Sequence, residues 1–293
     1  MLELQPREGV GDVTCLAYAP DGRTLASGHL SGRICRWDLR RGTLIVELTV
    51  ETAVPCALAF TPDGRSLAVG AWGGCVLYDI ARDDSRLFEF GRGGKCSLAF
   101  SPDGRTLYFG GSLDEEIVGW DVASGDVRTR LSGNEEGVFA LTHAPHAPEV
   151  AAGGDGGWLS VWNLTDGRFN LDLPAARWGG SVHALAYSPD GSLLASGGKD
   201  QRVTLWGAGT TSARAYLEGH TGTVWTLAFA DEGRSLLSGA ADGTIRVWDP
   251  LGGRLRRALD WQFGDVRQMA IAPDGMTAAV SGFGPSIVIW DLD

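Results

Sequence analysis

Three side chains in the last third of the chain have the types that a hydrolase needs: His220, Ser238 and Asp242. A serine nucleophile, a histidine base and a carboxylate that orients the histidine together perform acyl transfer. A second candidate is the pair His143 and His146, three residues apart, which could share a metal ion. Because no further histidine or cysteine is nearby in the sequence, a degenerate surface turn is the favoured interpretation of that pair.

The segment from Gly91 to Ser97, GRGGKCS, has the glycines and the lysine of a phosphate-binding loop. The glycine that should open such a loop is replaced by Glu89, so the spacing fails. No nucleophile-elbow, zinc-protease or paired-carboxylate motif stands out from the rest of the sequence. The sequence therefore predicts no catalytic residue, no metal and no cofactor, and a protein that is not an enzyme.

Composition and charge limit the classes of partner. The 293 residues carry a net charge of −11, which disfavours binding to a nucleic-acid backbone. No apolar run approaches 18 residues, so no membrane segment is predicted. The five cysteines are odd in number and lack CxxC spacing, which favours buried free thiols in a reduced, cytoplasmic setting. They are Cys15, Cys35, Cys56, Cys75 and Cys96.

The elements that must position any site come from an internal repeat. Near-identical strings read AYAPDGRTLASG (17–28), AFTPDGRSLAVG (59–70), AFSPDGRTLYFGG (99–111), AYSPDGSLLASGG (186–198) and AIAPDGMTAAVSG (270–282). A degenerate copy, AFADEGRSLLSG, covers 228–239. Each repeat ends in Trp-Asp or a close relative, near residues 38, 79, 121, 163, 207, 249 and 291. A period of about 41 to 44 residues is typical of four-stranded units stacked around an axis.

One unit, Thr223 to Asp249, shows how each repeat folds. VWTLAF and RSLLSG alternate and are rich in β-forming residues, so both are predicted strands. DEG, like PDG elsewhere, has turn chemistry, and ADG forms a tight turn before a third strand, TIRVW. RLRRALD supplies the fourth strand. No segment has a sustained helical period, so the chain is predicted to be all-β.

The period and the WD-type pair recur in register seven times, six of the repeats carry the PDG-type turn and four carry SG. In this the chain resembles WD40-repeat proteins, bacterial-type and PDG-rich. The resemblance implies a seven-bladed β-propeller with four antiparallel strands per blade, formed by residues 1–293 as a single domain. In this family the N-terminal strand often completes the last blade. Because Leu2 to Pro6 (LELQP) resembles the fourth-strand segment Val46 to Thr49 (VELT), it is expected to close blade seven.

The resemblance also implies a structural tetrad of His, Ser or Thr, Asp and Trp in a blade. Blade six carries the full set, His220, Ser238, Asp242 and Trp248. In other blades the set is incomplete, with Trp178 in the place of the histidine of blade five and Ser31 in the place of the aspartate of blade one; blade three retains Asp114. A tetrad inside a blade explains His220 better than a catalytic triad does.

Partners of this family often bind one face of the ring, around the central channel. Carried over blade by blade, that face is built from the turn between the second and third strands and from the start of the first strand. The turn positions are Leu30, Trp72, Leu113, Asp155, Lys199, Ala241 and Phe283. The first-strand positions are Thr14, Cys56, Cys96, Phe139, His183, Trp225 and Arg267. From both sets, the predicted partner-binding residues are Leu30, Trp72, Leu113, Phe139, His183, Lys199, Trp225, Arg267 and Phe283.

Aromatic side chains gathered with an arginine are typical of protein-binding hot spots. The favoured function is a non-enzymatic scaffold that binds a protein or peptide on this face, without nucleic acid or membrane. One alternative is a small-ligand or enzymatic propeller that uses Asp12, Asp155, His183, Asp265 and Arg267. Another alternative is self-association, in which the apolar face is buried against a second copy of the chain.

Overall fold

The structure is a computed structural model that describes residues 2–50, 54–89, 94–113, 116–132, 137–165, 169–174, 180–261 and 264–292. Apart from two short 3-10 turns, Asp155–Gly157 and Asp231–Gly233, its regular elements are strands, which confirms the all-β prediction. Within those ranges, no helix has the length and hydropathy that crossing a bilayer requires.

The strands form seven antiparallel sheets, or blades, of four strands each. The first strands are β2 (Val13–Tyr18), β6 (Ala57–Phe60), β10 (Cys96–Phe100), β14 (Val138–His143), β18 (Val182–Tyr187), β22 (Val224–Ala230) and β26 (Gln268–Ile271). The second strands are β3 (Thr24–His29), β7 (Ser66–Ala71), β11 (Thr106–Gly111), β15 (Glu149–Gly154), β19 (Leu193–Gly198), β23 (Ser235–Ala240) and β27 (Thr277–Ser281).

The remaining two strands complete each blade. The third strands are β4 (Arg33–Asp38), β8 (Gly74–Asp79), β12 (Glu116–Asp121), β16 (Trp158–Asn163), β20 (Val203–Gly207), β24 (Thr244–Asp249) and β28 (Ile287–Asp291). The fourth strands are β5 (Thr43–Thr49), β9 (Asp84–Glu89), β13 (Val127–Ser132), β17 (Phe169–Pro174), β21 (Ala213–Leu217), β25 (Arg254–Asp260) and, in blade 7, β1 (Leu2–Leu4).

The blades form a closed ring, because the first strand of each blade packs against the first strands of its two neighbours, β26 against β2 included. The N-terminal strand closes blade 7 as predicted. Leu2 pairs with Ile289, Glu3 with Val288 and Leu4 with Ile287. The sheet edge that β28 would otherwise expose is therefore covered.

The core lies between the blades. Seven clusters of buried apolar side chains are found among the described residues, each shared by two neighbouring blades. The repeat tryptophans Trp37, Trp162 and Trp248 are among the largest fully buried side chains. The recurrent aromatic at the end of each repeat therefore packs into the core, buried in five blades and partly buried in blades 2 (Tyr78) and 7 (Trp290).

The recurrent aspartates cap turns. Asp38, of the first WD pair, accepts hydrogen bonds from the backbone N–H groups of Arg40 and Arg41, at 2.9 and 3.1 Å. Asp21, of the first PDG turn, accepts from the N–H groups of Arg23 and Thr24. Because an aspartate that caps its own turn stabilises the turn locally, these carboxylates have an architectural role.

The glycine of the second strand lets neighbouring blades approach. A Cβ built at Gly239 would lie 2.4 Å from Val266 Cγ1 of the next blade, and one at Gly197 would lie 2.7 Å from Val224 Cγ1. The contact repeats between Gly153 and Val182. Any side chain at these positions would push two blades apart, which explains why the repeat carries SG at this point.

Candidate functional site

Strand direction places all the predicted partner-binding residues on one face of the ring. Chain direction reverses at each strand, so the start of the first strand and the turn between the second and third strands lie at the same end of a blade. The turn residues are Leu30, Trp72, Leu113, Lys199 and Phe283, and the first-strand residues are Phe139, His183, Trp225 and Arg267. The PDG-type and WD turns lie on the opposite face.

β-Bulges aim the first-strand residues into the opening of the ring. The pairing register shifts between Val138 and Ala140, so Phe139 is an extra residue opposite β15. The same shift occurs around His183 in β18 and around Trp225 in β22. A bulge redirects the side chain of its extra residue. Phe139, His183 and Trp225 are accordingly half-buried, between neighbours that face the core.

These side chains touch from blade to blade. The rings of Phe139 and His183 stack, with centroids 5.4 Å apart and an interplanar angle of 9°. His183 lies 4.7 Å from the Trp225 ring. The Arg267 guanidinium carbon lies 5.5 Å from the Trp225 centroid and 4.1 Å from that of Phe283. Blades 4 to 7 thus contribute to one continuous aromatic wall.

Lys95 reaches this wall from the other side of the ring. Its Nζ lies 5.5 Å from the centroid of Trp225, although Lys95 precedes β10 in blade 3 and Trp225 belongs to blade 6. Since blades 4 and 5 separate these two along the ring, the lysine extends over the opening. We call the resulting set the channel-mouth cluster; it comprises Lys95, Phe139, His183, Trp225, Arg267 and Phe283.

The channel-mouth cluster carries positive charge. Lys95 is exposed as a whole, yet the loss of solvation around it, followed by the charge of Arg267, lowers the pKa of its ammonium. Burial first, and then the Lys95 charge, lowers the pKa of His183 to about 4, so the imidazole is neutral at pH 7. The cluster therefore places a lysine and an arginine beside a neutral aromatic stack.

The nearby carboxylates already have partners. Asp155 accepts a hydrogen bond from Ser181 Oγ at 2.6 Å, and Asp12 accepts one from the backbone N–H of Gly284 at 3.1 Å. Asp265 lies 3.4 Å from Arg267. Each of the acids proposed for an enzymatic channel is thus held by a neighbour, and none is arranged with His183 as an acid–base pair in the described structure.

The other half of the face is exposed and apolar. Leu30, Trp72 and Leu113, from the turns of blades 1 to 3, are 51%, 64% and 59% exposed. Phe283 of blade 7, a member of the channel-mouth cluster, is also exposed, at 58%. Lys199 is an exposed cation on the rim of blade 5.

The placement of Cys96 as a channel-facing residue is wrong. β10 has no bulge, so Cys96 pairs with Gly111 and takes the role that Val138 has in blade 4. Its Sγ lies 2.7 Å from the position of a Cβ at Gly70, as the valines do in other blades. Cys96 therefore points sideways to blade 2, and the residue before it, Lys95, lies at the opening.

The prediction that all five cysteines are free is also wrong. Cys56 and Cys96 form a disulfide between blades 2 and 3, with Cα atoms 5.7 Å apart. They are 40 residues apart in sequence, so their proximity arises only from the packing of adjacent blades. Cys15, Cys35 and Cys75 are free and buried, in agreement with the prediction. Burial raises the pKa of each of these three thiols to about 12.

We expect a thiol assay to count three free cysteines in protein denatured without reductant, and five after reduction. The native protein should react slowly, because a buried thiol with a raised pKa yields little thiolate. Cys56→Ser should raise the unreduced count to four by releasing Cys96, whereas Cys75→Ser should lower it to two. A count of five in unreduced wild-type protein purified in air would contradict the disulfide.

The four residues of the predicted tetrad are joined inside blade 6. His220 Nδ1 donates to Asp242 Oδ2 at 2.9 Å, and its Nε2 accepts from Ser238 Oγ at 2.7 Å. Trp248 Nε1 donates to the same serine oxygen at 2.8 Å. The His220 side chain is fully buried, so no substrate reaches the histidine–serine pair. The set connects a loop, a turn and two strands.

Sequence reasoning missed His29, which replaces part of the tetrad in blade 1. His29 Nε2 lies 2.8 Å from Ser27 Oγ, and Trp37 Nε1 donates to that oxygen at 2.9 Å. His29 Nδ1 lies 3.2 Å from the carbonyl oxygen of Gly11. The histidine comes from the end of β3, whereas in blade 6 it comes from a loop. Its spacing of two residues from Ser27 was the available signal.

Some sequence predictions fall outside the described residues, namely those on Trp178, Asp114 and residues 91–93 of the glycine-rich segment. His143 Nδ1 lies 2.6 Å from the carbonyl oxygen of Ala144, and its ring lies 5.7 Å from that of Tyr108. Among the described residues, no three His, Cys, Asp or Glu side chains are grouped as metal ligands.

A family model described as "WD domain, G-beta repeat" matches residues 7–38, 174–207 and 212–249. These stretches end at the tryptophan-bearing third strands of blades 1, 5 and 6. The chain therefore carries WD40 repeats in three of the seven blades that the structure shows.

Three curated proteins illustrate the similarity. "Periodic tryptophan protein 2" from Arabidopsis thaliana is 27% identical over 198 residues, 67% of this chain and 22% of that protein. "Small ribosomal subunit protein RACK1y" from Oryza sativa subsp. japonica is 31% identical over 96 residues, 33% of this chain and 27% of that protein.

"Chromatin assembly factor 1 subunit FAS2 homolog", also from Oryza sativa subsp. japonica, is 30% identical over 123 residues, 38% of this chain and 24% of that protein. The chain thus spans about a quarter of the length of these relatives. Because all three are plant proteins, the likeness to bacterial-type repeats stays a prediction.

Proposed function

Because this chain carries WD40 repeats and folds as a seven-bladed β-propeller, we propose that it is a non-enzymatic scaffold that binds a protein or peptide partner on the face containing the channel-mouth cluster. The supporting observation is the chain of contacts from Phe139 through His183 and Trp225 to Arg267, on the same face as the exposed Trp72. Aromatic side chains with arginine dominate the binding energy of protein interfaces.

The relatives support a role in assemblies. The names of two of them describe a component of a ribosomal subunit and a subunit of a chromatin assembly factor. Our proposal for this chain includes a single domain over residues 1–293 and partners other than nucleic acid or membrane. The cytoplasmic location expected from free thiols loses that support, because Cys56 and Cys96 are bonded to each other. Self-association is the competing use of the same apolar face.

Capture of partners from native lysate tests the proposal. We expect Trp72→Ala, Phe139→Ala and Trp225→Ala, combined in one variant, to lose the proteins that wild type retains. Truncation of such hot spots weakens binding by about 2 kcal/mol each, roughly 30-fold. The matched control combines Ile45→Ala, Leu87→Ala and Leu255→Ala, which removes exposed apolar side chains from the outer strands β5, β9 and β25.

The two variants distinguish specific binding through the proposed face from nonspecific adsorption to exposed apolar side chains. Loss of captured proteins by the face variant alone, with an unchanged melting temperature, is the expected result. Equal retention by the face variant and wild type would contradict the proposed face. Sedimentation of wild type at two concentrations identifies self-association, which would show as a concentration-dependent rise in mass that the face variant lacks.

A further inference from the structure

The basic side chains of the channel-mouth cluster have few carboxylate partners. In the described part of the chain, Lys95 forms no ion pair, while Arg267 has only Asp265, at 3.4 Å. Lys95 and Arg267 flank the same indole ring, each 5.5 Å from the centroid of Trp225. Two like charges around one ring repel each other, and an anion placed between them would relieve that repulsion.

Two further donors of the cluster have no acceptor. Trp225 Nε1 and Arg267 Nε are buried and make no hydrogen bond within the described structure. A buried donor without a partner destabilises the folded state, and an acceptor brought by a ligand would satisfy it. Lys95 is long and exposed, so its ammonium can reposition to meet such a group. The missing element is an anionic hydrogen-bond acceptor.

The residues around Lys95 and Arg267 indicate which class of molecule would bring the anionic group. The wall formed by Phe139, the neutral His183 and Trp225, with Phe283 exposed beside it, suits apolar side chains that flank the anion. The chain as a whole has a net charge of −11, so it repels a long polyanion such as RNA. A short peptide with one or two carboxylates fits a local cationic spot on an acidic protein.

We propose that the channel-mouth cluster binds a peptide segment of a partner protein through a carboxylate, an aspartate or glutamate side chain held between Lys95 and Arg267 at the edge of the Trp225 ring. The residues beside that carboxylate are apolar and lie against Phe139 and Phe283. The inference rests on the proposed function, because it names the chemistry of the segment that the face binds.

Selection from a random 12-residue peptide library displayed on phage tests the inference with the full chain. We expect wild type to enrich peptides in which Asp or Glu stands next to an aromatic or aliphatic residue. The test variant combines Lys95→Gln with Arg267→Gln, and the control combines Arg23→Gln with Arg40→Gln. Arg23 and Arg40 are exposed on the opposite face, so both variants lose two positive charges. The control should enrich the same peptides as wild type.

Affinities of one selected peptide give the decisive comparison. On wild type, replacing its Asp or Glu by the amide should weaken binding roughly 10- to 100-fold, as for a lost charge-assisted contact. On the Lys95→Gln, Arg267→Gln variant, the acidic peptide and its amide version should bind with equal affinity. In a separate selection, Lys95→Glu alone should enrich peptides that contain Lys or Arg. Lys95→Glu retains Arg267 and its contact with Asp265, so it keeps the test valid if the double variant is unstable.

Other outcomes overturn the inference in distinguishable ways. Selected peptides that lack acidic residues yet require Trp225 would leave the proposed function standing and refute the carboxylate. Tighter binding of a 20-nucleotide single-stranded RNA, lost with Lys95 and Arg267, would replace the peptide by a nucleic acid. Recovery of no peptide that depends on this face would count against both the inference and the proposed function.

Discussion

A chain that begins at Asp12 is expected to melt at least ~10 °C below the chain that begins at Met1. The deletion removes β1, which supplies the fourth strand of blade 7. It also removes Leu4 and Val10, both buried in the cluster between blades 7 and 1 with Trp37 and Ile287. Loss of one buried leucine costs about 2–5 kcal/mol, and 1 kcal/mol corresponds to about 2–4 °C in a domain of 150–250 residues.

Two point variants distinguish the loss of ring closure from a general effect of removing eleven residues. Leu4→Ala should reproduce a large part of the loss in melting temperature, because its side chain is fully buried. Glu3→Ala, one residue away and exposed, should have almost no effect. The shortened chain should also self-associate in gel filtration, since β28 then presents an unpaired edge. Equal melting temperatures for all three variants and the full chain would show that β1 does not close the ring.

Gly239→Ala is expected to have the second largest effect. The added Cβ would meet Val266 Cγ1 at 2.4 Å and Thr226 Cγ2 at 2.8 Å. Valine is branched at Cβ and cannot rotate away freely, so blades 6 and 7 must separate. Overpacking of this kind costs about 1–3 kcal/mol, which corresponds to a fall of roughly 5 °C in melting temperature.

The matched control is Gly207→Ala, where the nearest atoms belong to the Thr210 side chain at 3.3 Å. It should change the melting temperature by no more than about 1 °C. Val266→Ala should make room for the new methyl group, so the double variant with Gly239→Ala should lose less stability than the two single losses combined. Strict additivity would show that the glycine is not required for the approach of blade 7.

The parts of the fold that could be predicted are those that repeat locally. Alternation, PDG turns and the WD pair fix three strands in each unit, and the period fixes the number of blades. The closing strand was found because Leu2 to Pro6 resembles a fourth strand of another blade. Each of these signals lies within a short window of sequence.

The parts that could not be predicted depend on contacts between blades or on one-residue shifts. Whether a first strand contains a bulge decides which residue lies at the opening: Phe139, the second residue of the bulged β14, or Lys95, which precedes Cys96 in the regular β10. The Cys56–Cys96 disulfide and the reach of Lys95 to Trp225 both join residues of different blades. A sequence pattern within one repeat contains no information about either contact.

For the candidate site, the sequence predicted that nine residues lie on one face, but it did not predict which of them are in contact. The structure joins Phe139, His183, Trp225 and Arg267 into a wall with Phe283. Leu30, Trp72 and Leu113 lie in turns of the opposite half of the ring. The division into a cationic aromatic half and an exposed apolar half depends on which blades are neighbours, which only the closed ring reveals.

The pairing of β1 with β28 sets an order of events during synthesis. Residues 2–4 leave the ribosome before the other strands of the ring, and their partners at 287–289 are added about 285 residues later. At ~5–20 residues per second, that strand waits roughly 15 to 60 s before blade 7 can be completed. Blades 1 to 6 take all four strands from consecutive sequence and can fold as they emerge. A nascent chain stalled before Ile287 should therefore be an open arc, with a free strand at one end that nascent-chain chaperones can bind.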